Sequence, residues 1–205
     1  VTPDLPLSPA PGIRTKTGDE LRSIALQQFA SVGFAATSLQ HIADAAGFSK
    51  STVLYHFASK EALLADLLTP AVDGLTQILE RYVDAGQTAA SRVQFIDDFI
   101  DFLLQYRLEL HTFINQGQSL GGIDVVDRAR ELIVRLSDTL CREDASVEEH
   151  LRFAVALGGA AYSLVAGMTF LGKDLAPVDH LRPALRTVIT ELLAPVTSRH
   201  LPGKQ

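Results

Sequence analysis

From Thr17 onward, Leu21, Ile24, Ala25, Gln28 and Phe29 recur at the i, i+3, i+4 spacing of one buried helical face, and Gly33 supplies the stop. The spacing predicts a first helix of about four turns. Ahead of it, Pro3, Pro6, Pro9 and Pro11 stand among few large apolar groups. Residues 1–13 are therefore expected to form a disordered arm with Arg14 and Lys16 at its end. Ser38 is placed to cap a short second helix, with Leu39, Ile42, Ala43 and Ala46 as its buried stripe and Gly47 as its stop. Ser49 then caps a third helix running through Phe57, and Ser59 a fourth, with Glu61 in its first turn favouring the helix dipole. Two short helices joined at Gly47 and Phe48 read as a helix-turn-helix braced by the first helix.

Beyond residue 60 every strongly patterned segment has the helical period. Breaks fall near Gly86, at Gly117 to Gly122, at Asp144 to Ser146, and between Gly172 and Pro177. The expected helices span roughly 59–84, 91–105, 107–116, 123–142, 147–170 and 178–194. Pro70 lacks the N–H that would bond the carbonyl of Asp66, so the fourth helix should kink or break there, or end as one of two independent helices. No alternating run marks a strand. The reading is all-α: an N-terminal three-helix helix-turn-helix domain (14–62) followed by a C-terminal antiparallel helical bundle (63–205), about nine helices together.

With 205 residues, 47% hydrophobic and 20% charged, the chain is able to bury a sizeable core. It has no run of about 18 uncharged apolar residues and no basic-then-apolar leader pattern, which predicts a cytoplasmic protein without a membrane partner. The net charge of −6 excludes coating of nucleic acid by bulk positive charge. That charge is uneven: residues 1–61 balance Arg14, Lys16, Arg22, Lys50 and Lys60 against five acidic groups, so the rest of the chain carries the excess. One cysteine, Cys141, rules out an intramolecular disulfide and a multi-thiolate metal site, leaving a small helix filler or a redox-sensing thiol. No metal-ligand cluster, phosphate-cradling loop or nucleophile motif is present, so no cofactor and no catalytic residue is expected.

The ungapped run from Thr37 to Leu64 contains Ile42-Ala43, Ala46-Gly47, Ser49, Thr52, His56-Phe57 and Ser59-Lys60-Glu61. It resembles the DNA-binding signature of the tetracycline-repressor (TetR) family. The residues support that resemblance by their own chemistry, because helix N-terminal amides and short hydroxyls make good phosphate ligands and a capped two-turn helix fits the major groove. Ser49, Lys50, Ser51 and Thr52 form the first turn of the recognition helix, and Lys50, Ser51 and Thr52 are candidates for base edges or adjacent phosphates. Gln40 is a further base reader. The resemblance implies that Ser38, Tyr55, His56 and Lys60 grip the DNA backbone; the alternatives are local packing for His56 and a solvated charge for Lys60. Phe48, Val53 and Phe57 read as core. Leu54 departs from an aromatic common in the family, which puts that tyrosine contact in doubt.

Phe95, Phe99 and Phe102 share one face, with Asp97, Asp98 and Asp101 largely opposite. Such a stripe is core or pocket wall. The resemblance implies a sensing cavity in the C-terminal bundle, with His111, Asn115, Gln116, Gln118 and Tyr162 as candidates to orient a small-molecule effector. Ala154, Gly158, Gly159, Ala160, Ala161, Ser163 and Gly167 leave one helix with little side chain, and the resemblance implies that it and the last helix pair with their copies in a homodimer. The function expected is a ligand-responsive regulator, a repressor that binds a palindromic duplex operator as a dimer and is released by a small molecule. The alternatives are a DNA-binding adaptor controlled by a protein partner and a helical-bundle enzyme.

Overall fold

The computed structural model describes residues 11–141, 145–167, 170 and 175–194, with no side-chain description at 11–15, 118 and 119. Those residues form α1 (Pro11–Ser31), α2 (Leu39–Ala46), α3 (Lys50–His56), α4 (Lys60–Asp84), α5 (Ala89–Gln105), α6 (Arg107–Gln116), α7 (Asp124–Leu140), α8 (Val147–Ala166) and α9 (Val178–Leu192), with a 3-10 turn at Gly117–Leu120. Among the described residues there is no strand, as the uniform helical period requires. The expected arm of residues 1–13 needs correction at its end, because the helix begins at Pro11 rather than at Thr17. Proline is well suited to a first helical position: its fixed φ is already helical and it has no N–H to leave unbonded. Residues 1–10 lie outside the described ones.

A second correction concerns Pro70. It neither breaks the helix nor separates two: α4 runs unbroken from Lys60 to Asp84 with Pro70 inside it. Leu63, Leu64, Leu67 and Leu68 before the proline and Ile78 and Leu79 after it are all buried, so packing on both sides holds the helix through the missing bond. α4 is long and apolar enough to cross a membrane by length and composition. Asp66 and Asp73 interrupt it, however, and those leucines mark a core helix.

By contacts the described chain divides into two units that are discontinuous in sequence. One joins residues up to Pro70 with His111–Asp127; the other joins Ala71–Leu110 with the residues from Arg128 onward. The chain therefore changes unit inside α4, inside α6 and inside α7.

In the first unit α1 and α2 pack together and α2 packs on α3, around Leu21, Ala25, Phe29, Ile42, Ala43 and Val53, each fully buried. In the second, α9 lies against α5 and α8. The aspartates of α5 form partly exposed ion pairs with arginines of its neighbours. Arg182 of α9 makes a two-bonded pair with Asp101 (2.7 and 3.0 Å), Arg186 reaches Asp97 at 3.1 Å, and Arg81 of α4 reaches Asp98 at 2.7 Å. The end of α9 is capped from outside. Arg152 of α8 donates to the carbonyls of Leu192 and Glu191, each at 2.9 Å, where a cation meets the negative end of the helix.

Candidate nucleic-acid interface

Two serine caps set the geometry of the helix-turn-helix. Ser38 Oγ accepts from the His41 N–H at 3.1 Å, and α2 ends at Gly47, whose φ of 69° lies in the left-handed region where glycine is at ease. Phe48 N then donates back to the Ala43 carbonyl at 2.9 Å and closes the turn. Ser49 Oγ accepts from Thr52 N at 3.1 Å and lies 2.7 Å from Ser51 Oγ and 2.9 Å from Thr52 Oγ1. Three hydroxyls thus cluster at the positive end of α3, the arrangement that suits a phosphate oxygen or a base edge.

Lys50, Ser51, Leu54 and Tyr55 form one exposed strip of α3, with Leu54 at 45% and Tyr55 at 53% exposure. The opposite side, Val53 and Phe57, is buried as expected, and Phe48 is half-buried. Sequence reasoning missed Leu54 as a candidate contact. The signal is in the spacing, since Leu54 lies one turn from Lys50 and beside Tyr55 and so shares their face of a short helix.

Other expected contacts are placed more narrowly. Gln40 is exposed on α2, with its Nε2 donating to Asp44 Oδ1 at 2.7 Å, so reading a base would require release of that bond. His56 is half-buried at the end of α3, edge-on to Tyr55, and its ring lies 3.6 Å from where a Cβ on Gly18 of α1 would stand. It therefore packs locally and keeps part of its ring exposed.

Lys60 is neither a solvated charge nor simply a phosphate ligand. Its Nζ donates to the Phe34 carbonyl at 2.7 Å and to the Thr37 carbonyl at 2.9 Å, and sits 4.2 Å from the centre of the Phe34 ring. Two of its three N–H groups serve the turn between α1 and α2.

The second unit contains a groove along α4 and α5. Two cavities of about 490 and 310 Å³ share Ile78, Arg81 and Asp98; Tyr82 and Phe95 wall the first, and Gly74, Phe102 and Tyr106 the second. Behind the walls runs a ladder of rings, Tyr82, Phe95, Phe99, Phe102 and Tyr106, with successive centroids 5.3 to 6.1 Å apart. All three phenylalanines are buried, and of them Phe95 and Phe102 line the groove while Phe99 lines neither cavity.

The polar candidates do not gather there. His111 is 8% exposed, and burial holds its imidazole below the ordinary value; its Nε2 lies 3.1 Å from Asn115 Nδ2 one turn along α6, in the first unit. Gln116 needs correction: its Nε2 donates to the Phe29 carbonyl and its Oε1 accepts from Phe34 N, so its amide serves the main chain instead of a ligand. Tyr162 is also corrected. At 48% exposure it stands on the outer side of α8, two turns from Val155 and one from Gly158 and Gly159. The side chain of Gln118 lies outside the described residues.

That outer side of α8 is an unpartnered apolar strip of Val147, Leu151, Val155 and Tyr162, with Ala154, Gly158 and Gly159 exposed among them. A Cβ on Gly158 would meet nothing within 4 Å. Among the described residues none requires a glycine there, and in an exposed helix interior glycine costs stability. Cys141 is half-buried, and burial pushes its thiol up, away from the reactive thiolate form. Among the described residues no group of three or more His, Cys, Asp or Glu side chains is placed to hold a metal ion.

Residues 21–67 match the family described as bacterial regulatory proteins, tetR family. The chain is 29% identical over 172 residues to the transcriptional activator FasR of Mycolicibacterium smegmatis, covering 81% of this chain and 77% of that protein. It is 47% identical over 157 residues to the transcriptional regulator RutR of Escherichia coli, covering 77% of this chain and 63% of that protein. Over 75 residues it is 36% identical to the transcriptional repressor KstR2 of Mycobacterium tuberculosis, 37% of this chain and 38% of that one. The solved structure of that ketosteroid regulator superposes with a TM-score of 0.63 at 21% identity, covering 85% of this chain and 93% of the other, a likeness of fold. These relatives are transcriptional regulators and not enzymes.

Proposed function

This chain belongs to the TetR family of bacterial regulatory proteins, and on that premise we propose that it is a homodimeric repressor of transcription, released from a palindromic duplex operator by a small molecule. The observation that carries this reading is the capped α3, which presents Lys50, Ser51, Leu54 and Tyr55 on one exposed strip above the hydroxyl cluster of Ser49, Ser51 and Thr52. Lys50 and Ser51 read base edges, Ser49 and Thr52 take phosphate, and Tyr55 reaches the backbone beside them. Ser38, Gln40 and His56 remain at the border of this contact. The apolar strip of α8, together with the exposed Val188 of α9, supports a two-fold interface that sets two recognition helices about one DNA turn, ~34 Å, apart. A regulator of such an operator acts in the cytoplasm, and that location is part of the proposal.

Selection from random duplexes tests the reading. An enriched inverted repeat with half-sites one or more helical turns apart is expected; enrichment of no symmetric sequence would sink it.

The groove of the second unit supports an effector with an apolar part and a polar part, since Ile78, Tyr82, Ala85 and Phe95 wall the first cavity while Gln77, Gln105 and Asp101 join Phe102 and Tyr106 in the second, with Arg81 and Asp98 shared by both. KstR2, 36% identical over 37% of this chain, is named a ketosteroid regulator, which puts steroids among the compounds to try. A Cβ on Gly74 would stand 3.5 Å from the Tyr106 ring, so Gly74→Leu fills the second cavity. Sterols and fatty acids are expected to raise the melting temperature of the native protein and not that of this variant. Equal shifts in both would place the effector elsewhere.

A further inference from the structure

The turn that leads into the helix-turn-helix is held by side chains that come from far along the chain. At the end of α1, Val32 N and Gly33 N both turn back to the carbonyl of Gln28, at 2.9 and 3.3 Å. In a continuing helix Gly33 N would serve the carbonyl of Phe29. Gln116 takes that place: its Nε2 donates to Phe29 O, and its Oε1 accepts the N–H of Phe34, just beyond the point where Gly33 reverses the chain at φ +100°. One primary amide therefore donates and accepts across the corner as a peptide group of a paired strand would.

The rest of the corner is closed as tightly. Thr37, 2% exposed, donates to Gly33 O from both N and Oγ1, at 3.1 and 2.7 Å, and Lys60 holds the carbonyls of Phe34 and Thr37. The next residue is Ser38, the cap that fixes where α2 begins.

We propose that Gln116 is a positioning residue for operator reading: its amide fixes the corner between α1 and α2, and through it the seat of the recognition helix, without touching DNA. Two features of the chain suit it to that task. Gln116 is the last residue of α6, a helix without glycine or proline that starts in the second unit and ends in the first. The helix end that carries it is anchored on both sides, by Thr112 one turn before and by Leu120 in the 3-10 turn that follows, each fully buried, so the amide is presented to the corner from a fixed position.

The inference rests on the DNA-binding reading above, and the experiment separates the two. Three proteins are compared: the native chain, Gln116→Met, which keeps the length but neither bond, and Gln116→Glu. Hydrogen exchange at the Phe34 amide, measured without DNA, is expected to quicken in Gln116→Met; unchanged protection overturns the role of the amide whatever becomes of DNA binding. With the inverted repeat recovered by selection from the native chain, Gln116→Met is expected to bind about tenfold more weakly with an unchanged salt slope, because no phosphate contact is lost.

Gln116→Glu supplies the readout that a merely structural role would not move. Ionised, its carboxylate still accepts from Phe34 N but sets a second oxygen against Phe29 O; protonated, it donates to that carbonyl as the amide does. Its operator affinity, relative to the native chain at the same pH, should fall about tenfold near pH 8 and return near pH 5. Loss that does not recover on acidification overturns the proposal, as does native affinity in Gln116→Met once Phe34 exchange has quickened. If Gln116→Met does not fold, the pH pair in Gln116→Glu decides alone. Failure of the native chain to enrich any duplex sinks the DNA-binding reading instead, and the exchange of the Phe34 amide still decides whether Gln116 holds the corner.

Discussion

A residue's neighbours decide what its chemistry is used for, and Lys60 is the plainest case. A lysine at a helix start is ordinarily solvated, yet here its charge bonds two carbonyls of a turn that precedes it by more than twenty residues and lies over the Phe34 ring. Lys60→Ala is therefore expected to lower stability by about 1–3 kcal/mol, the scale of charge-assisted bonds whose acceptors lose their donor. Operator binding should weaken with it while the salt slope stays near the native value. Thermal unfolding and binding across a salt series check this; an unchanged melting temperature with a slope reduced by about one would return Lys60 to the phosphate backbone. Leu54 leads to the opposite expectation. It is 45% exposed on the strip that faces outward from α3, so Leu54→Gln should change stability by no more than about 0.5 kcal/mol. A thymine methyl is the natural partner of an exposed leucine in the major groove, and repeating the duplex selection with the variant should show a changed preference at one position of each half-site.

Among the elements, α8 carries the clearest unfilled requirement. Its inner residues Ala156, Leu157, Ala160, Leu164 and Val165 are buried within the chain, while Val147, Leu151, Val155 and Tyr162 are left outside with glycines between them. Small residues on such a strip permit a second helix to come close, and a long charged side chain forbids it. Gly158→Arg is accordingly expected to leave the helical content intact and to shift the protein to monomer in sedimentation velocity, with a large loss of operator affinity because the two half-sites are no longer bound together. A dimer that survives the substitution would move the interface to another face. α5 shows how an element's polar face can be misread. Asp97, Asp98 and Asp101 have the spacing of a solvated side, yet arginines of α9 and α4 come to all three.

For the molecule as a whole, pH gives a further test. Burial holds His111 below the imidazole's ordinary value of about 6.5, so as pH falls the unfolded chain takes up the proton first. The stability due to keeping His111 neutral is therefore full above about pH 6.5 and is lost as pH drops below it toward the folded value. Glu109 acts in the other direction, because burial raises its carboxyl and its contribution is lost as pH rises through the folded value. Comparing native protein with His111→Gln separates the two: between pH 7.5 and pH 5.5 the melting temperature should fall more in the native chain than in the variant. Parallel curves would show that His111 is protonated in the fold as readily as in water.

How much of this was legible beforehand follows from the range of each interaction. The helices, their serine caps at Ser38 and Ser49, the glycine stop at Gly47 and the buried stripe of α1 depend on residues within one or two turns, and local spacing fixes such features whatever surrounds them. The run from Thr37 to Leu64 was legible as a DNA-reading motif for the same reason. Interactions between distant positions were not. Gln116 stands 82 and 87 residues from the main-chain groups it bonds, Arg182 stands 81 from Asp101, and the continuity of α4 through Pro70 depends on leucines buried by other helices. A side chain's type limits the bonds it is able to make, so the sequence marks Gln116 and Tyr162 only as polar groups in search of a partner. Only the packing of helices remote in sequence decided that one would hold the α1–α2 corner and the other would face outward from α8, because those neighbours are brought together by burial of apolar surface that no local pattern specifies.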